Sequence, residues 1–493
     1  MIAIEVTIRP VALPDGPRGT MARLRGEGRF ALLESALPMP RQAHWSYIAG
    51  PALATLYTDE TTTRLERDGR EIASWADPFE ALAAVAAGAP DSVRFEGDCP
   101  EGMDFVGGWV GVLGYDLGRH VERLPEQALH DPVLRRQWWM AVGLVLGFHH
   151  PSGQWWEATV RGPSERWPWT RTDRAEAWRR TVERACGPLP ARGYWHAGPR
   201  TLVTSRAQFE SGVRSIQQAI VRGDVLQVNL TRREDWEFEG DAWALYEDLV
   251  SAHPAPFAAY LEGPGFALAS CSPERFLQRR GDRLEARPIK GTAARGIDEA
   301  EDAAQRQHLA ASVKDRAENV MIVDLMRNDL GRVAMVGSVE VPELFALESY
   351  ASVWQMVSTV RARIRPDCGI AQLLRACWPP GSMTGAPKVK AMEIIEGLEP
   401  VRRGWYAGSV GYLDCRGNMD LSVVIRTAIV ADGRVMVQLG GGIVADSEPA
   451  AEWAETVAKG LRIVETLQRG AAEPAPARNH GPRSLAALSS TRA

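Results

Sequence analysis

The sequence predicts an α+β fold, and three observations carry the prediction. Strand-like runs come in hairpin pairs: "AIVADGRVMVQ" has Asp432-Gly433 at its turn, and "RFLQRRGDRLEARPI" turns at Gly281-Asp282. Amphipathic helical patterns are interspersed among these runs instead of alternating with them one for one, which argues against a doubly wound parallel sheet. No GxGxxG opens a helix after a strand and no GxxxxGK[ST] occurs, so the phosphate-cradling loops of nucleotide-binding folds are missing.

Taken in order, the start "MIAIEVTIRPVALPDG" alternates like a strand and lacks the basic and apolar segments of a signal peptide. Residues 1–185 read as mixed strands and helices with Gly-rich turns such as "FVGGWVGVLGYDLGRH". The stretch 186–200 is rich in Pro and Gly and reads as a linker. Residues 201–470 form the second region. It opens with an amphipathic helix over 207–222 that stops at Gly223, and a long helical pattern spans 299–331. Another helix follows "GSMTGAPK", with Pro387 near its first turn. A last one follows "VADSEP", where Ser447 suits the cap and Pro449 the first turn. Between them "FALASCSPERFLQRR", "WYAGSVGYLD" and "LSVVIRTAIV" read as strands. The Ala/Pro/Ser-rich tail 471–493 reads as disordered.

Composition excludes several classes. With 57 basic and 62 acidic residues the net charge is −5, which gives no footprint for nucleic acid or an anionic membrane. No apolar run approaches the length of a membrane span. The six cysteines are scattered without a CxxC, which suits a reducing cytoplasm and argues against a thiolate zinc site. Seventeen tryptophans, many before residue 200, read as core.

Lysine is rare. Only Lys290, Lys314, Lys388, Lys390 and Lys459 occur, against 52 arginines (57 − 5). A desolvated lysine can lose its proton and act as nucleophile or base, whereas arginine stays charged. Folded about Gly281-Asp282, the hairpin brings Lys290 near Glu274, an acid beside an amine. Asp315 and Glu318 share a helical face, as do Glu452 and Glu455, with Lys459 four residues on. Two acidic pairs meeting across a cleft make an oxygen-rich site for Mg²⁺. Ser382, Thr384 and Gly385 precede a helix whose free N–H groups suit an anion. Gly440, Gly441 and Gly442 permit close approach of a ligand or backbone, and Arg426 in an apolar run needs an anionic partner. Each feature alone also has a plain structural account: a solvated helix face, a cross-strand ion pair, a capped helix or a bulge.

It is the joint occurrence that is specific. "GDVLQVNLTRR", "SPERFL", "PIKGTAARG", "AENVMIVDLMRNDLGRV", "PPGSMTGAPKVKAMEIIEGLEP" and "GGGIVADSEPAAEWAET" stand in the order and near the spacing found in the chorismate-utilising enzymes, densely over 205–465. The chain therefore resembles that family. The resemblance implies a large antiparallel β-sandwich surrounded by helices, with residues 1–185 woven into the same body. Within the family, Gln227 stands where water-adding members carry a lysine base, and Lys290 in "PIKGT" matches the aminodeoxychorismate synthases, where anthranilate synthases usually read "PIAGT". The resemblance implies that Lys290 attacks C2 of chorismate while Glu274 protonates the departing C4 hydroxyl, and that ammonia then enters at C4 and expels the lysine. It implies Glu318 and Glu455 as Mg²⁺ ligands, with Glu452 and Asp315 acting through waters. Arg426 and Tyr406 would hold the enolpyruvyl carboxylate. Thr384, Gly385 and the glycines 440–442 would supply further contacts, and Lys459 would lie near the substrate carboxylate. The chain contains no glutaminase portion, so a separate glutamine amidotransferase subunit is implied, feeding 4-aminobenzoate and folate synthesis. "ALLESA", with Glu34 and Ser35, and "HPAPFAAYL" resemble the family's tryptophan-pocket segments. Three positions depart from the common pattern: Gln355 and Asn319 replace frequent histidines, and Pro380 replaces a glycine. The alternatives are a C2-aminating enzyme and a chorismate-binding subunit without turnover.

Overall fold

Strands that are apolar or small along their whole length need cover on both faces. Gly108–Leu113, Phe266–Ser272 and Ser409–Asp414 are buried at every residue and lie inside two large sheets. The computed structural model describes residues 4–39, 42–86, 93–131, 134–162, 170, 175–350 and 353–472. Among these, one sheet has thirteen strands and the other twelve. Every named pairing is antiparallel except Ile4–Val11 with Val93–Glu96. With helices packed around them the fold is α+β. The largest apolar cluster holds Trp109, Trp139 and Trp405, among the most deeply buried side chains of the molecule.

The two regions of the chain interleave. Ala31–Glu34 pairs with Phe257–Gly263 in one sheet, and Gly108–Leu113 pairs with Ser409–Asp414 in the other.

Four sequence expectations need correction. The linker 186–200 ends early, because Trp195–Leu202 is an edge strand on Gln227–Gly240. Its Gly198 and Pro199 fall at a register shift between Ala197 and Arg200, where a ladder N–H is not required. The helical pattern 299–331 is two helices, Glu299–Ala311 and Val313–Gly331. Ser312 leaves helical geometry between them and its side chain caps the second through the Asp315 N–H. Ser447 uses its hydroxyl otherwise than expected: it donates to Glu452 Oε1 at 2.6 Å and accepts from the Val444 N–H. Finally, "FALASCSPERFLQRR" and "LSVVIRTAIV" each contain two strands in different sheets. The reading of 471–493 as disordered meets the end of the helix Pro449–Ala472, and residues 473–493 lie outside the described residues.

That last correction positions the chemistry. Phe266–Ser272 belongs to the thirteen-stranded sheet and Arg275–Arg280 to the twelve-stranded one; Met419–Val423 and Thr427–Ala431 make the same switch in reverse. The crossings run side by side, joined by Val423 N–H to Glu274 O and Cys271 N–H to Arg426 O, each 3.0 Å. Glu274 sits on one crossing and Arg426 on the other.

Candidate active site

Lys290 owes its aim to a bulge. Ile289 pairs with Val357 and Thr292 with Gln355, so one extra residue is inserted on the Lys290 strand. Gly291 takes φ +91°, and a Cβ there would lie 2.9 Å from Asp315 Cβ, so glycine is required. The Lys290 ammonium donates to Ser382 O at 3.4 Å. Glu274, 5 % exposed, lies beside the Ser382 hydroxyl and the Ile289 backbone, both of which favour its ionised form. Acid and amine thus converge on Ser382. Burial pushes the Glu274 carboxyl up to about 7, against the pull of Ser382 and Lys290. Burial pushes Lys290 down, with Glu318 opposing and Lys459 reinforcing. The acid is driven to keep its proton and the amine to lose one.

Gln227 closes one side of this pair. A Cβ on Gly442 would meet its Nε2 at 2.1 Å and Lys290 Nζ at 3.6 Å, so the bare Gly442 backbone lets both approach. Gln227 is buried and its Oε1 has no hydrogen-bond partner. Gly385 pairs with Val228 beside it. Thr384 is fully buried; its hydroxyl donates to Gly381 O and its carbonyl accepts from the Asn229 N–H.

The carboxylates gather on two helices. Glu452 and Glu455 from Pro449–Ala472 flank Gly441, where a Cβ would lie 3.4 Å from Glu452 Oε2, 3.7 Å from Glu455 Oε1 and 3.7 Å from Lys459 Nζ. Lys459 pairs with Glu455 at 2.5 Å and donates to Gly440 O at 3.1 Å. Glu318 comes from Val313–Gly331, and Lys314 lies between it and Glu452. Asp315 sits one turn earlier, against Gly291. Burial raises Glu318 and Glu452, and the neighbouring Glu455 raises both further. Burial pushes Glu455 the same way, but Lys459 holds it below the usual range. Among the described residues no three acidic, histidine or cysteine groups converge as metal ligands as they stand. The donor set is nevertheless oxygen only, mutually repelling, and includes Glu452 Oε2, buried without a hydrogen-bond partner. Those features suit a hard cation.

Arg426 adopts φ +53°, a strained conformation for a side chain of its size. Among the described residues it has no carboxylate partner, and burial pushes its guanidinium down to about 10. Tyr406 is its neighbour and is itself pushed up to about 12 by burial. A half-buried guanidinium with no salt bridge among the described residues, at a strained position, suits an anion. Of the departures, Asn319 is structural: it donates to Met356 O and accepts from Ser358. Gln355 is buried with Oε1 unpartnered, opposite Thr292. Glu34 and Ser35 lie elsewhere, lining an 870 Å³ cavity with Trp45, Tyr47 and Phe257. Glu34 there accepts from Arg18 and Tyr246, and Ser35 donates to Trp45 O.

Sequence reasoning left Lys390 and Lys314 without a role, and it is Lys314 that reaches the clustered carboxylates. Its spacing four before Glu318 is legible, but its approach to Glu452 is not.

A family model described as chorismate binding enzyme matches residues 34–465. The chain belongs to the chorismate binding enzyme family. Aminodeoxychorismate synthase component 1 of Klebsiella aerogenes is 40 % identical over 459 residues, covering 92 % of this chain and 97 % of the relative. Anthranilate synthase component 1 of Pseudomonas aeruginosa is 35 % identical, covering 92 % and 94 %. The crystal structure of anthranilate synthase component I from Streptococcus pneumoniae TIGR4 superposes with a TM-score of 0.71 at 26 % identity, covering 86 % and 92 %. As a chorismate binding enzyme the chain carries its constellation within the matched segment, from Glu274 to Lys459. No helix among its described residues is long and apolar enough to cross a membrane.

Proposed function

We propose that this family member aminates chorismate at C4, giving 4-amino-4-deoxychorismate for 4-aminobenzoate and folate synthesis. The observation that carries the proposal is the meeting of Lys290 and Glu274 on Ser382, with their proton affinities driven in opposite directions. Neutral Lys290 attacks C2, both ring double bonds shift one place (C1=C2 to C1=C6 and C5=C6 to C4=C5), and the C4 hydroxyl leaves as water with the proton from Glu274. Ammonia then bonds to C4, both double bonds return to their original places, the Lys290 amine is released, and the proton shed by the new C4 ammonium restores Glu274. The net change is chorismate plus ammonia to aminodeoxychorismate plus water. Gln227 is a neutral amide and cannot deprotonate water, and its free Oε1 is an acceptor for an ammonia N–H. Arg426 and Tyr406 bind the enolpyruvyl carboxylate. Backbone groups at Thr384, Gly385 and Gly440–Gly442, with Lys459, bound the ring. Glu318, Glu452 and Glu455, with Asp315 behind them, would hold Mg²⁺, which anchors and polarises the ring carboxylate when bound. Ammonia comes from a separate glutamine amidotransferase subunit, in keeping with the "component 1" designation of the Klebsiella aerogenes relative.

The test is product identity. The purified chain, incubated with chorismate, Mg²⁺ and ammonium, should form the C4-aminated product by chromatography and NMR. Lys290→Ala should lower its rate about 100-fold or more. A C2-aminated product would reassign the reaction, and chorismate left unconsumed would revive the non-catalytic reading.

A further inference from the structure

Lys314 takes no part in the reaction just described. Its ammonium lies 3.8 Å from Glu452 and 4.0 Å from Glu318, bridging Pro449–Ala472 and Val313–Gly331. Its own helix supplies one partner, Glu318 at i,i+4, in the less favourable order with the lysine first. It is the second residue after the cap Ser312, in a first turn where the helix dipole disfavours a cation. The partners also differ in freedom. The Lys314 side chain is 47 % exposed, against 13 % for Glu318 and 4 % for Glu452. The carboxylates are therefore fixed by their surroundings, Glu452 through Ser447, while a flexible stem reaches in from solvent. The contacts are also loose. They balance charge but leave Glu452 Oε2 without a hydrogen bond.

We propose that Lys314 is an exchangeable internal cation that neutralises Glu318 and Glu452 while no metal is bound and withdraws to solvent when a divalent cation takes the same oxygens. This rests on the reading of these carboxylates as the metal site. A Mg²⁺ ion binds carboxylate oxygens at about 2.0–2.1 Å, so it would occupy the space between the two groups that the ammonium now screens. Lys314 therefore lowers metal affinity and, in exchange, holds the two helices together in the metal-free protein.

The experiment uses Mn²⁺ as a paramagnetic probe, titrated into the full chain without chorismate at fixed ionic strength and read by electron paramagnetic resonance. Lys314→Met should bind Mn²⁺ about tenfold more tightly than the wild type. Lys390→Met removes another half-exposed lysine, paired with Glu393, and changes net charge identically. It should leave the affinity within about twofold. In thermal melts Lys314→Met should be less stable than the wild type without metal and gain more from Mn²⁺. Unchanged or weaker binding in Lys314→Met, or equal tightening in Lys390→Met, overturns the exchange while leaving the metal site standing. If neither wild type nor Lys314→Met binds Mn²⁺, the metal reading falls and the exchange with it.

Discussion

At the scale of single residues, the site depends on a carboxyl kept in an unfavourable place. Glu274 ionises near pH 4.5 in an unfolded chain and at about 7 when folded. The folded protein binds this proton more tightly, so the stability it contributes is present below pH 4.5 and is lost as pH rises towards 7. Glu274→Gln does not titrate and escapes that loss. Urea unfolding at pH 4.5 and pH 8 should show the variant gaining up to about 3 kcal/mol on the wild type between the two. The same variant should lose about 100-fold or more in kcat, because an amide cannot protonate the leaving hydroxyl. In the wild type kcat/KM should fall above pH 7 as Glu274 ionises. The Lys290 limb, which rises with pH as the amine becomes neutral, should lie below the range of a free lysine. A variant less stable than the wild type at pH 8 by the margin seen at pH 4.5 would refute the burial argument. This much was legible in sequence, since a turn midway between Glu274 and Lys290 brings acid and amine together. Lys314 was not, because its second partner is Glu452, far along the chain. Spacing rules read neighbours on one helix and say nothing of another.

At the scale of elements, the deciding features are interruptions. The bulge at Lys290-Gly291 and the sheet switches at Glu274 and Arg426 set the direction of three side chains of the proposed site. They escape sequence reading because the apolar runs continue through them: "LSVVIRTAIV" is one run in composition and two strands in space. The three glycines at the end of Arg434–Ile443 read as one feature in sequence but differ in structure. A Cβ on Gly440 would lie 2.6 Å from the Leu230 carbonyl, a backbone group that cannot yield. A Cβ on Gly441 meets nothing closer than 3.4 Å. Gly440→Ala should therefore cost about 1–3 kcal/mol of stability. Gly441→Ala should fold within about 0.5 kcal/mol of the wild type, yet raise the KM for chorismate because its methyl stands among Glu452, Glu455 and Lys459. Equal melting temperatures for the two variants would refute this separation of packing from binding.

At the scale of the whole molecule, the N-terminal region contributes none of the proposed catalytic side chains but supplies strands that their sheets require. Without residues 1–190, Phe257–Gly263 loses Ala31–Glu34 and Ser409–Asp414 loses Gly108–Leu113. Both sheets then acquire a long apolar edge, and Ser409–Asp414 is buried at every residue in the intact protein. Such edges pair with other chains. The crossings that carry Glu274 and Arg426 lie one strand in from these new edges, since Phe266–Ser272 neighbours Phe257–Gly263 and Met419–Val423 neighbours Ser409–Asp414. Loss of the edge should therefore reach the site directly. The fragment 195–493 expressed alone should aggregate or unfold without a cooperative transition. Coexpressed with 1–194, which divides the chain just before the edge strand Trp195–Leu202, it should form a 1:1 complex with restored chorismate turnover. Size-exclusion chromatography and the ammonium-dependent assay distinguish the outcomes. A soluble, active 195–493 would mean that the catalytic half closes its own sheets, and that the interleaving is ornament to the chemistry and not its support.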